Sequence, residues 1–322
     1  MTTSHDPESA QAFIRAHLKI TRQRIAIAKS IIVRKAEART RAEDLIVAVL
    51  TEYGGPLTNK VSLLPDTDST AALTAVAEAL AWQVCSQEAI LSLIHSGYLM
   101  AAGDLWIART SVGFETGSLG SGWKFEELEV PIPSSLWRSP SGGGENEFMA
   151  DPDLYLLRLE IENMHEDIAA ALSEAVRCFR SELYTAALAM LGKASEGGWL
   201  ELGESLLNFA ARDGDVAMFG KQRSVLEDPQ AGALKKFRAV VEMFNRQDIF
   251  KPVVEKSGIR PKELEAVILW SDTVRESRNT IHFRVSAATP NTYEKVASLL
   301  LATPQNIRVL YRLKETTDQL VP

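Results

Sequence analysis

Near the end of the chain Arg275, Arg278, Asn279 and His282 supply two guanidinium groups, an amide and an imidazole. If the segment is helical, Arg275, Arg278 and His282 stand at i, i+3 and i+7 and share one stripe of the surface. That set suits RNA cleavage without a metal. A neutral imidazole takes the proton from a ribose 2′-hydroxyl as it attacks the neighbouring phosphate, because histidine titrates near neutral pH. Guanidinium forks hold the phosphate oxygens on which negative charge builds. Asn279 is placed to orient the imidazole or the phosphate, and the products would carry a 2′,3′-cyclic phosphate and a 5′-hydroxyl. A structural role competes with this one. A guanidinium often ties two helices through a carboxylate, and Glu196 is the candidate partner of Arg278.

The elements that must position these groups are helical. Val267, Trp270, Val274, Ser277 and Ile281 recur at three- and four-residue steps, predicting a helix over 261–283 with those residues toward a core and Pro261 in its first turn. Similar periodicity predicts helices over 154–180, 184–211 and 230–246, and one over 291–314 interrupted at Pro304. Residues 152–322 thus read as an antiparallel bundle of four or five helices.

The run Arg278-Asn279-Thr280-Ile281-His282-Phe283 resembles the Arg-Asn…His signature of the HEPN superfamily, helical domains found in many bacterial toxin and antiviral ribonucleases. Upstream, Phe179 to Glu196, with Tyr184, an Ala-Ala pair and Leu191-Gly-Lys-Ala-Ser-Glu196, resembles the second-helix region of HEPN-like uncharacterised bacterial domains. The resemblance covers residues 155–315. It implies a HEPN-like bundle, a metal-independent endoribonuclease acting as a bacterial defence or toxin-type effector, catalytic roles for Arg278, Asn279, His282 and Arg275, and supporting roles for Glu196 and Tyr184. It also implies a homodimer in which two Arg/His sets face one cleft. Nuclease members usually place four to six residues between the Arg and the His. Arg278 to His282 leaves three, whereas Arg275 to His282 leaves six but is followed by Glu276. Either arginine is therefore a candidate phosphate contact, and a non-catalytic module that binds RNA, a nucleotide or a protein is the alternative.

The N-terminal half differs in charge. Residues 1–41 carry nine Lys/Arg against three Asp/Glu, and 42–150 carry four against fourteen. Apolar positions between Phe13 and Ile32 with interleaved basic residues predict a long basic helix over 7–41, with Thr21 as its one breaking point. Lys29, Arg34 and Lys35 are its candidate nucleic-acid contacts; covering its own acidic neighbour is the competing use. Residues 42–130 suggest three helices, at 43–53, 69–82 and from Ser86 to Gly97, followed by a hairpin around Ala102-Gly103-Asp104. That order resembles a winged-helix module. Its third helix has no Lys or Arg, which argues against sequence-specific DNA reading and for a protein partner on the acidic module. Residues 131–151 read as a Gly/Ser/Pro linker.

The expected fold is therefore mainly α: a C-terminal HEPN-like bundle, an N-terminal α+β winged-helix-like module and a basic helical arm. A transcription regulator ranks last among its functions. Cys85 and Cys178 form no metal or disulfide pattern and read as core residues. The five histidines have no ligand spacing, and no phosphate-cradling loop occurs, so no metal and no cofactor are expected. No run is long and apolar enough for a membrane span and no leader-like start is present, which together predict a cytoplasmic protein with RNA as a partner.

Overall fold

The computed structural model describes residues 6–55, 60–64, 69–116, 120–139, 147–212, 215–281 and 290–321. It is mainly helical with two small sheets. The chain forms two compact units, Met1–Ala150 and Asp151–Pro322.

The first unit is organised around one helix. Helices α1 (Pro7–His17) and α2 (Arg22–Lys35), strand β1 (Arg39–Arg41) and helix α3 (Ala42–Val49) precede β2 (Lys60–Ser62). Then come α4 (Ser69–His95) and strands β3 (Leu99–Ile107), β4 (Ser111–Glu115), β5 (Gly120–Lys124) and β6 (Pro131–Arg138). The basic N-terminal segment is two helices, because Asp6 and Thr21 each cap a separate start by accepting from the backbone N–H three residues on. It is not a free arm. Both helices pack on α4, and Arg24 donates to Glu78 at 2.7 Å while its guanidinium lies over the Trp82 ring.

The expected second and third helices of this unit are one 27-residue helix. Ser86 caps nothing: its hydroxyl donates to the carbonyl of Trp82, one turn back, and is satisfied inside the helix. Gly97, at φ +74, then ends the helix as expected from the sequence. The expected hairpin is also absent. Gly103, at φ +76, makes a bulge within the single strand β3, whose partner is β6. The segment read as the start of a linker, 131–138, is thus the central strand of a β1-β6-β3 sheet. Pro131 and Pro133 did not prevent this, because β1 pairs only with Ser135 to Trp137 and the prolines sit where β6 has a single neighbour. A second sheet, β2-β4-β5, closes with α1 and α4 over a core that includes Ile14, Leu80, Val112, Phe114 and Phe125.

The second unit has eight α-helices among its described residues: α5 (Pro152–Leu159), α6 (Glu166–Arg180), α7 (Tyr184–Arg212), α8 (Gly220–Glu227), α9 (Ala233–Phe244), α10 (Gln247–Ser257), α11 (Pro261–Arg278) and α12 (Tyr293–Asp318). This exceeds the four or five expected. The 154–180 stretch divides at Glu160, which takes a left-handed conformation, and two short helices are added, α8 with no buried residue and α10 with Phe250 and Val253 turned inward. Helix α7 is the spine, contacting α6, α9, α11 and α12. Inside, Trp199 Nε1 donates to Ser271 Oγ and Ser195 Oγ donates to the same oxygen, fixing α7 against α11.

Pro304 does not interrupt α12. Its missing N–H leaves the carbonyl of Leu300 without an intrahelical donor. The buried Tyr155 hydroxyl of α5 donates to that carbonyl at 2.8 Å, so the helix continues. Burial drives the Tyr155 hydroxyl far above its ordinary pKa, and it remains a donor. Cys85 is buried, whereas Cys178 is only partly so and sits beside Glu174, so the core reading holds for the first alone.

Candidate functional site

Helix α11 reaches only Arg278; Asn279 to Ile281 form a tighter 3₁₀ turn. The stripe expected to run from Arg275 to His282 on one α-helix therefore ends at Arg278, and His282 lies outside the described residues. Val267, Trp270, Val274 and Ser277 face the core as their spacing requires. Asn279 caps the helix, its N–H bonded to the Arg275 carbonyl. Asn291 holds the return of the chain, donating to the Ser277 carbonyl at 3.4 Å, to Thr280 Oγ1 at 3.0 Å and to Thr185 Oγ1 at 3.3 Å. The turn that follows Arg278 is thereby tied to the start of α7.

The two arginines part company. Arg275 Nε donates to Asp272 Oδ1 at 2.7 Å within its own helix. Arg278 crosses to α7, where Nη1 donates to Glu196 Oε2 at 3.1 Å. It gets there over Gly192: a Cβ at that position would lie 2.6 Å from the Arg278 Cδ. About a quarter of each side chain in the Arg278–Glu196 pair stays open, 28% and 26%. Tyr184, at the start of α7, packs instead with Phe179 and Tyr293, and burial raises its hydroxyl's pKa ahead of the nearby Glu182.

Arg278 and Glu196 line a cleft of about 390 Å³ with residues that sequence reading passed over. His165, Asp167 and Ile168 come from the start of α6, Lys193 and Glu201 from α7. His165 is the N-cap of α6, and its Nδ1 accepts from the Asp167 N–H at 3.2 Å. A neutral ring so engaged carries its proton on Nε2, which makes it a donor. The His165 N–H in turn donates to the Tyr311 hydroxyl, whose pKa burial and then Glu201 push far upward. The cleft thus gathers a guanidinium, an ammonium and an imidazole N–H beside three carboxylates.

Of the N-terminal candidates, Lys29 is 3% exposed in the face that α2 turns inward, which removes it as an RNA contact. Arg34 pairs with Glu52 at 3.1 Å, and Lys35 is exposed. Among the described residues no group of three or more His, Cys, Asp and Glu is arranged to hold a metal ion, and no helix is long and apolar enough to cross a membrane. No protein-family model, no curated protein and no solved structure matches this chain.

Proposed function

We propose that the Asp151–Pro322 unit is a HEPN-type, metal-independent endoribonuclease in which Arg278 grips the scissile phosphate and His282 takes the 2′-hydroxyl proton. The observation that carries this reading is the convergence of donors from separate helices, Arg278, Lys193 and His165, on one cleft of about 390 Å³. That volume falls in the ordinary range for small-ligand sites. Guanidinium and ammonium groups at the wall offset the charge that builds on phosphate oxygens as the 2′-oxygen attacks. Glu196 acts as the orienting carboxylate that keeps the Arg278 fork in place, and Gly192 gives the side chain its path. Pairing of two such units would present two arginines to one substrate, in a bacterial defence or toxin-type setting.

The test is incubation of single-stranded RNA with wild type, Arg278→Gln and His282→Ala in chelator. Wild type is expected to leave 2′,3′-cyclic phosphate ends, and both variants to lose cutting by at least about 100-fold. Chelator-resistant cutting equal in all three would contradict the assignment.

A second reading is favoured by a specific observation: both guanidinium groups already have acids, Arg278 with Glu196 and Arg275 with Asp272. On that reading the unit is a non-catalytic RNA-, nucleotide- or protein-binding module. For the first unit, the helices and hairpin within 42–130 that carried the winged-helix resemblance do not form as expected, and what favours that reading instead is a different set, α2, β1, α3, α4, β3 and β6, with the sheet order β1-β6-β3. The burial of most of α4 speaks against base reading by that helix and leaves a scaffolding or partner-binding role.

A further inference from the structure

The β1-β6-β3 sheet turns one face inward, with Leu99, Ile132 and Leu136 buried. The register sets what the other face carries. Arg39 stands directly opposite Trp137, and Trp137 directly opposite Met100, so a cation, an indole and a thioether form one row across three strands. Trp137 is 48% exposed and Met100 41%, and Leu105, beyond the bulge, is 74% exposed. An aromatic ring this open on a sheet, with an exposed arginine whose Cα lies one strand away at about 5 Å, offers a stacking surface and, at the reach of a long side chain, a cation for a phosphate.

Within the row itself the charge favours an anion, since Arg39 is its one ionisable side chain. Arg34 and Arg41 are paired with Glu52 and Glu43, but Arg39 and Lys35 make no ion pair among the described residues. The acids near the row are Glu37, two residues before Arg39, and Asp104, on the bulge at the opposite end. Strand addition is disfavoured: the outer edge of β3 is broken between Ala102 and Leu105, and a bulged edge is a poor template for another strand. The occupant that fits is one held through the face.

We propose that this sheet face binds single-stranded RNA, stacking an unpaired base on Trp137 and holding a phosphate with Arg39. The inference rests on RNA being the target of the second unit.

The test is fluorescence anisotropy of a short labelled RNA with the full chain, all proteins carrying Arg278→Gln so that nothing is cut. Trp137→Ala is expected to weaken single-strand binding about 10-fold, and Trp137→Phe to keep most of it, because stacking needs a ring and not an indole N–H. Arg39→Gln should reduce the slope of log affinity against log salt by about 0.7. Binding to the matching duplex should not respond to Trp137→Ala. Equal single-strand affinity of the Trp137→Ala variant and its parent overturns the proposal, as does absence of binding by the parent. A change of sedimentation in Trp137→Ala with RNA affinity unaltered overturns it too, and shows a second copy on this face. If the chain without Arg278→Gln never cuts RNA yet Trp137→Ala weakens binding, the sheet proposal stands and the nuclease reading falls.

Discussion

Each unit is built around one long helix, and the two helices are used in opposite ways. Helix α4 spans 27 residues and α7 spans 29, yet the middle of α4, from Ala79 to Gln87, is buried at every position. Of the two acids on α4, Glu78 is taken up by Arg24 and Trp82 and Glu88 is exposed. Helix α7 buries Leu188, Leu191, Trp199 and Leu202 but leaves Lys193, Glu196 and Glu201 along a cleft. A stretch of helix enclosed on all sides contributes a core, whereas a helix with one face open can hold charged groups at fixed distances without the full cost of desolvating them.

The sharpest way to break that contrast is to truncate matched positions. Leu80→Ala in α4 removes a side chain that is 0% exposed and should cost about 2–5 kcal/mol of stability in urea titration, whereas Lys193→Ala in α7 should stay within about 0.5 kcal/mol. Equal losses would show that the face of α7 carrying Lys193 is held in the fold and not open at the cleft. Next in size is Tyr155→Phe, which leaves the Leu300 carbonyl without its donor and should cost about 1–3 kcal/mol, read as a lowered urea midpoint. A midpoint unchanged by this substitution would mean that α12 tolerates Pro304 by other means.

Gly192→Ala sharpens the comparison at the cleft itself. The added carbon meets Arg278 Cδ, while alanine gains about 0.5–1 kcal/mol over glycine in a helix. Stability should therefore change little while RNA affinity falls, because the guanidinium is displaced. The smallest effect concerns Glu127, held below its ordinary value of 4.5 by its own backbone N–H and then by Arg15 of α1. A carboxylate with a lowered folded value contributes above pH 4.5 and loses that contribution as pH falls through the lowered value. The urea midpoints of wild type and Glu127→Gln should thus differ slightly near neutrality and converge in acid.

The sequence made the helical second unit legible because its apolar residues keep a helical period from Val267 to Ser277 and through α7. Glu196, named from the sequence as the candidate carboxylate for Arg278, is the acid that Arg278 meets. What the period missed has local causes. Ser86 looks like a cap until its hydroxyl turns back to Trp82, Gly103 looks like a turn until it bulges, and Pro304 looks like a stop until Tyr155 supplies the missing donor. The rest of the cleft around the Arg278–Glu196 pair was not legible, since His165, Lys193 and Glu201 come from two helices whose approach no spacing encodes. His165 also hides as a helix cap, a role usually taken by Ser, Thr, Asp or Asn.

The most direct test of the account removes the Arg278–Glu196 charges together. The double variant Arg278→Gln/Glu196→Gln leaves no lone charge behind, so its urea midpoint should stay close to that of wild type. The account predicts that this folded variant loses chelator-resistant cutting of single-stranded RNA that wild type performs. A double variant that cuts as fast as wild type, or a wild type that does not cut, would contradict it.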